Sequence, residues 1–91
     1  MQTLNKNVYT DLFAICSEEN ACKNLIKAAQ EKSKSFNFEI IAANKMNKKH
    51  PKDADVIINA RTESVDLAKS IIQSLSTEKG VKKITFHISK Q

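Results

Sequence analysis

The sequence predicts an α+β sandwich in the order βαββαβ, with one four-stranded antiparallel sheet and two helices on one of its faces. Three observations lead there. First, the chain repeats itself. Cys16-Ser17-Glu18-Glu19 is followed by Cys22-Lys23-Asn24-Leu25-Ile26-Lys27, by Glu31-Lys32, and by an apolar alternation over Phe36 to Ile41. About 46 residues on, Arg61-Thr62-Glu63-Ser64, Ala68-Lys69-Ser70-Ile71-Ile72-Gln73, Glu78-Lys79 and a second alternation over Val81 to Ile88 come in the same order. Second, each copy sets a hydroxyl and acids ahead of an apolar stripe at helical spacing. Third, each copy closes on a period-two run.

Residues 1–7 are polar and read as a frayed end. Val8 to Cys16 is rich in strand formers and stops at Ser17-Glu18-Glu19, where the hydroxyl is expected to cap a helix. One helix from Thr10 to Lys34 is the rival reading, but it would place Glu19 on the apolar stripe and leave the cap unused. Helix one is expected over about Glu18 to Lys34, burying Cys22, Leu25, Ile26 and Ala29. Phe36 to Ile40 alternates and predicts the second strand. Asn44 to Asp53 is polar, Lys-rich and holds the only Pro, so it predicts a long hairpin loop. Asp55 to Arg61 predicts the third strand, and Thr62-Glu63 the cap of a second helix over about Glu63 to Thr77. Gly80 is expected to supply a left-handed stop beyond that helix. Ile84, Phe86 and Ile88 then alternate with Thr85, His87 and Ser89 in the last strand. With right-handed crossovers this is the ferredoxin-like arrangement, the first and third strands central and the second and fourth at the edges.

Ninety-one residues make a single domain, 1–91, near the lower end of what folds on one core. A hydrophobic fraction of 41% with 27% charge excludes a disordered chain. Cys16 and Cys22 are too few for a disulfide framework. A bridge between them would be geometrically demanding, so reduced, inert thiols are expected. The N-terminus lacks a signal-peptide core, and no run approaches the ~20 apolar residues of a membrane span. A soluble, cytoplasmic protein without membrane partners is expected.

The net charge of +5 comes from fourteen Lys and one Arg. It favours acidic partners by long-range attraction, yet base and phosphate recognition usually enlists Arg. Compositional bias is the favoured explanation. A nucleic-acid contact through Lys45, Lys48, Lys49 and Lys52 in the loop is the alternative.

Period two divides the strands into faces. The helix side is expected to take Phe13 and Ile15; Phe36, Phe38, Ile40 and Ala42; Val56, Ile58 and Ala60; and Ile84, Phe86 and Ile88. The uncovered side would then carry Thr10, Leu12, Ala14 and Cys16; Asn37, Glu39, Ile41 and Ala43; Asp55, Ile57, Asn59 and Arg61; and Lys83, Thr85, His87 and Ser89. That face has an apolar centre of Leu12, Ile41 and Ile57, with Asn59, Arg61 and His87 lending polar specificity. It shows no exposed aromatic on the central strands, which argues against base stacking.

No catalytic constellation emerges, and no catalytic, cofactor or metal-binding residue is assigned. His50 and His87 are isolated, without the spaced cysteines or acids of a metal site. Cys16 stands near a helix start that would stabilise a thiolate, but no histidine is placed beside it as base. Arg61 with the amides of Thr62 to Ser64 offers an anion site, against the commoner reading of a surface ion pair. The lone Gly80 excludes a glycine-rich phosphate loop.

Val56-Ile57-Ile58-Asn59-Ala60, a capped helix and then Val81 to Ile88 resemble the closing half of the YbeD family of small bacterial ferredoxin-like proteins. The similarity covers about 35 residues. It implies a regulatory, non-catalytic role with a proposed link to lipoate metabolism. The first half departs from that family, having no Phe-Pro-Cys-like opening and no glycine in the hairpin. The chain also resembles the ACT regulatory domain at the level of fold, but Cys16-Ser17-Glu18 stands where that domain uses glycine to approach a ligand. The expected function is a non-enzymatic regulatory or protein-interaction domain acting through its open sheet face. A homo-oligomer or protein partner is expected, and no cofactor.

Overall fold

A computed structural model describes residues 7–46 and 54–90. Its elements follow the expected order: β1 Val8–Cys16, α1 Glu19–Ser35, β2 Glu39–Lys45, β3 Val56–Thr62, α2 Val65–Ser76 and β4 Val81–Lys90. The strands form one antiparallel sheet in the order β2-β3-β1-β4, so β1 and β3 are central.

Both helices lie on one face because each has a single apolar stripe. Ala21, Cys22, Leu25 and Ala29 are buried on α1, and Ala68, Ile71, Ile72 and Leu75 on α2. Beneath them Leu12, Ala14, Cys16, Val56 and Ile58 complete the core. The α2 cap is Ser64 rather than Thr62-Glu63: its Oγ accepts from the Leu67 N–H at 3.1 Å. Thr62 instead donates its hydroxyl to the Ser64 carbonyl at 2.9 Å. At α1 the capping position falls to Glu18, whose side chain makes no cap bond, so Ser17 does not cap as expected. The Ser17 N–H instead donates to the Gly80 carbonyl at 2.8 Å, tying the β1–α1 turn to the turn ahead of β4. Gly80 is left-handed, at φ 86°, and belongs to that later turn rather than to the α2 cap at Thr77.

Face assignments differ from the sequence reading in several places. The first is β1, where Val8, Thr10, Leu12, Ala14 and Cys16 are buried under the helices. Phe13 and Ile15 therefore occupy the open face, in register with Ile57 and Lys83. Both parities of β1 are apolar, and size decides between them. Small Ala14 and Cys16 let Ala21, Cys22 and Ala29 pack closely, whereas Phe13 shares its parity with Asp11. Burying Phe13 would have buried an uncovered carboxylate.

The second is the Phe36-Asn37-Phe38 alternation, which is a helix stop rather than a strand. Asn37 is left-handed at φ 56°, and the Phe38 N–H reaches the Ser33 carbonyl at 3.2 Å, as in a Schellman ending. Phe38 is buried by this turn, while Phe36 stays 46% exposed. The third is β2, where the register shifts between Ile40 and Ala42. This bulge flips the strand's parity, so Ala43 pairs with Ile58 on the helix side and Ala42 with Asn59 on the open side.

Candidate functional site

The open face is built from cross-strand rows. Tyr9 lies between Ser89 and Arg61, with Glu39 beyond; Asp11 lies between His87 and Asn59, with Ala42 beyond; Phe13 lies between Thr85 and Ile57, with Asn44 beyond. Ile15 and Lys83 close the pattern. Directly opposed side chains stand close enough to bond, and the polar rows do so. Arg61 Nε donates to Glu39 Oε1 at 2.7 Å, and Nη2 reaches the same oxygen. The guanidinium also lies 5.8 Å from the Tyr9 ring centroid, with Nη1 3.4 Å from the hydroxyl. The Tyr9 hydroxyl and the Glu39 carboxylate hold Arg61 above its ordinary range. In the next row Asn59 Nδ2 donates to Asp11 Oδ1 at 2.6 Å.

Each residue assigned to the interaction face has a definite place. Ile57, Asn59, Arg61 and His87 lie on the open side. Ile41 is the extra residue of the β2 bulge and is 55% exposed. Leu12 is a correction: it is 3% exposed in the core and cannot be a contact centre. Phe13 and Ile15 lie on the open side of β1 instead, and Asp11 sharing their parity was the sequence signal for it. Tyr9 and Phe13 also put aromatics on a central strand, which removes the sequence argument against base stacking. The charge there is balanced, however: Asp11 and Glu39 against Arg61 and Lys83. Of the loop lysines, Lys45 pairs with Glu19, and Lys48, Lys49 and Lys52 lie outside the described residues, as does His50. Arg61 faces Glu39, not the α2 N-terminus, so the anion site beside Thr62 to Ser64 does not form.

A second feature lies at the end of the sheet. Cys16, Cys22, Glu19, Lys45, Met46 and Asp55 line a cleft of about 300 Å³ where β1 meets α1. Asp55, expected on the open face, turns back so that Oδ2 accepts from the Cys16 N–H at 2.9 Å; its own N–H donates to the Ala14 carbonyl at 2.8 Å. Burial pushes the Cys16 thiol from 9.0 up to about 12, and contact with Cys22 and the Asp55 charge add to it. Both cysteines are free and buried. Lys45 holds the exposed Glu19 carboxylate below its ordinary range. Among the described residues no helix is long and apolar enough to cross a membrane.

No protein-family model matches this chain. No curated protein matches it either. The YbeD resemblance therefore extends no further than the shared fold. Among solved structures, the chain is similar to the C-terminal domain of the MgtC protein from Mycobacterium tuberculosis, at 11% identity and a TM-score of 0.67, over 93% of this chain and 90% of that one. It is similar to a transcriptional regulator from Neisseria meningitidis in complex with L-Met, at 10% identity and a TM-score of 0.67 over 96% of this chain. This chain spans about half (52%) of that regulator. Ribosomal protein S6 from Thermotoga maritima is similar at 13% identity and a TM-score of 0.65, over 93% of this chain and 89% of that one. At such identities the likeness is one of fold: a ferredoxin-like sandwich.

Proposed function

We propose that this chain is a non-enzymatic regulatory domain that associates with a second copy of itself through the open sheet face. The observation that carries the reading is the arrangement of the rows. Tyr9, Arg61 and Glu39, and Asp11 with Asn59, are paired among themselves before any partner arrives. Ordering them costs little on association. Beside them Phe13, Ile15 and Ile57 form an apolar strip on the side of the sheet away from α1 and α2. A two-fold axis can set apolar strip on apolar strip, while balanced charges avoid repulsion between identical faces. The transcriptional regulator among the fold neighbours supports the regulatory part of this reading.

Sedimentation equilibrium over a wide concentration range tests it. The wild type is expected to self-associate, and Ile57→Asp to be monomeric with an unchanged circular dichroism spectrum. A wild type that stays monomeric at the highest concentration, indistinguishable from Ile57→Asp, rejects the reading. The aromatic side chains Tyr9 and Phe13 favour one second reading, a single-stranded nucleic-acid platform. A salt-dependent shift of labelled RNA, lost in Tyr9→Ala, would favour it instead.

A further inference from the structure

The end-of-sheet cleft collects sulfur. Cys16 closes β1, Cys22 lies in the first turn of α1, and the chain reversal between them buries both in one core cluster and sets both in the lining of the cleft. Met46, just past β2, lines the same cleft, and its backbone is fixed there because its N–H donates to the Asp55 carbonyl at 2.8 Å. Asp55 is in turn fixed by the Cys16 N–H. Three sulfur-bearing residues, two near in sequence and the third from the end of β2, therefore line one cleft of about 300 Å³.

We propose that Cys16 and Cys22, with Met46 as a third donor, form a binding site for a soft monovalent metal ion of the Cu(I) class. Ligand chemistry selects the metal. Two thiols and a thioether are soft donors that suit Cu(I) and its analogue Ag(I), which accept two or three sulfurs. Zinc prefers four tetrahedral ligands, and the described residues hold no group of three or more His, Cys, Asp or Glu that could bind a metal. Binding needs no redox step: each thiol forms a metal–sulfur bond as its S–H bond breaks, and the two protons pass to solvent. Two thiolates and one Cu(I) leave a net charge of −1, less negative charge beside Asp55 than the two bare thiolates would place there. The site is separate from the open sheet face and stands or falls independently of self-association.

The test is an anaerobic titration of the reduced protein with Cu(I) against the chromophoric chelator bicinchoninate, in the presence of a non-thiol reductant. One Cu(I) per chain is expected, with Cys16→Ser and Cys22→Ser each weakening binding by at least about a hundredfold and Met46→Leu by about tenfold. Far-ultraviolet circular dichroism checks that each variant is folded. Because the cysteines are buried, a second measurement uses the unmutated protein. Copper X-ray absorption is expected to show a shell of sulfur alone. Failure of the wild type to compete with the chelator, retention of affinity by a folded Cys16→Ser/Cys22→Ser variant, or a nitrogen- or oxygen-dominated shell would each overturn the proposal.

Discussion

The Asn59 side-chain amide donates to the Asp11 carboxylate at 2.6 Å across the two central strands, joining residues 48 positions apart in sequence. Both side chains are half-buried, so water replaces only part of what is lost when one is removed. Asn59→Leu should destabilise the domain by about 1–2 kcal/mol, because it leaves the carboxylate without its donor. Asp11→Leu with Asn59→Leu should be milder than the two single changes summed. Urea unfolding of the four members of this cycle measures the coupling, and simple additivity would mean that the bond contributes nothing.

Gly80 sets a tight contact between the turn before β4 and the first turn of α1. A Cβ built on it would lie 2.5 Å from the Ala21 Cβ and 3.2 Å from the Ser17 Oγ, and its φ of +86° already disfavours a side chain. Gly80→Ala should cost at least about 2 kcal/mol from strain and overlap together. Ala21→Gly removes the overlap but not the backbone strain, at its own cost of about 1 kcal/mol in a helix. The double variant should therefore be more stable than the sum of the singles predicts, though less stable than wild type. Thermal melts of the three variants check both orderings.

The burial of Cys16 ties stability to alkaline pH. Burial raises the Cys16 thiol of the folded metal-free protein to about 12, from the ordinary 9.0 that holds in the unfolded chain. The native state therefore binds the extra proton between these values. This contribution to stability is whole below about pH 9 and is lost as pH rises toward 12, at up to about 1.4 kcal/mol per pH unit. Urea midpoints of wild type and Cys16→Ser, measured with chelator at pH 8, 9 and 10, isolate the effect from lysine titration. The gap between the two should narrow as pH rises; a constant gap would sink the idea.

The scaffold was legible because its signals are local and redundant. Helix stripes, the alternation over Val81 to Ile88 and the repeat all point to the same order of elements, and the structure has that order. What sequence parity could not carry was every place where the chain steps off an ideal strand. The bulge at Ile41 reverses parity without changing composition, and left-handed Asn37 makes a helix ending look like alternation. In β1 the strand was recognised but turned over, since the large side chains Phe13 and Ile15 were favoured over small Ala14 and Cys16. Packing two helices above a central strand reverses that preference. Four of the six candidate residues, Ile57, Asn59, Arg61 and His87 on β3 and β4, stay on the open side despite this reversal. The sulfur cleft had no sequence signal, because Met46 comes to share a cleft with the two cysteines only through the sheet's end geometry.

Two buried threonines on neighbouring central strands should answer the same substitution with opposite signs. Thr62 is 1% exposed and donates its hydroxyl to the Ser64 carbonyl ahead of α2. Thr10 is 5% exposed, and its hydroxyl finds no hydrogen-bond partner among the described residues. It borders a void of about 20 Å³ walled by Leu12, Ala29, Phe38 and other apolar side chains. A water there would need two or more polar partners and would find one. Thr10→Val exchanges an unsatisfied hydroxyl for a methyl of similar shape and should stabilise the domain by about 1 kcal/mol. Thr62→Val removes a made bond and should destabilise it by a similar amount. In a domain of this size each change corresponds to a melting shift of roughly 4–8 °C, so calorimetry resolves both. If Thr10→Val melts lower than wild type, the Thr10 hydroxyl is satisfied in solution, and the core beneath α2 is more polar than its lining.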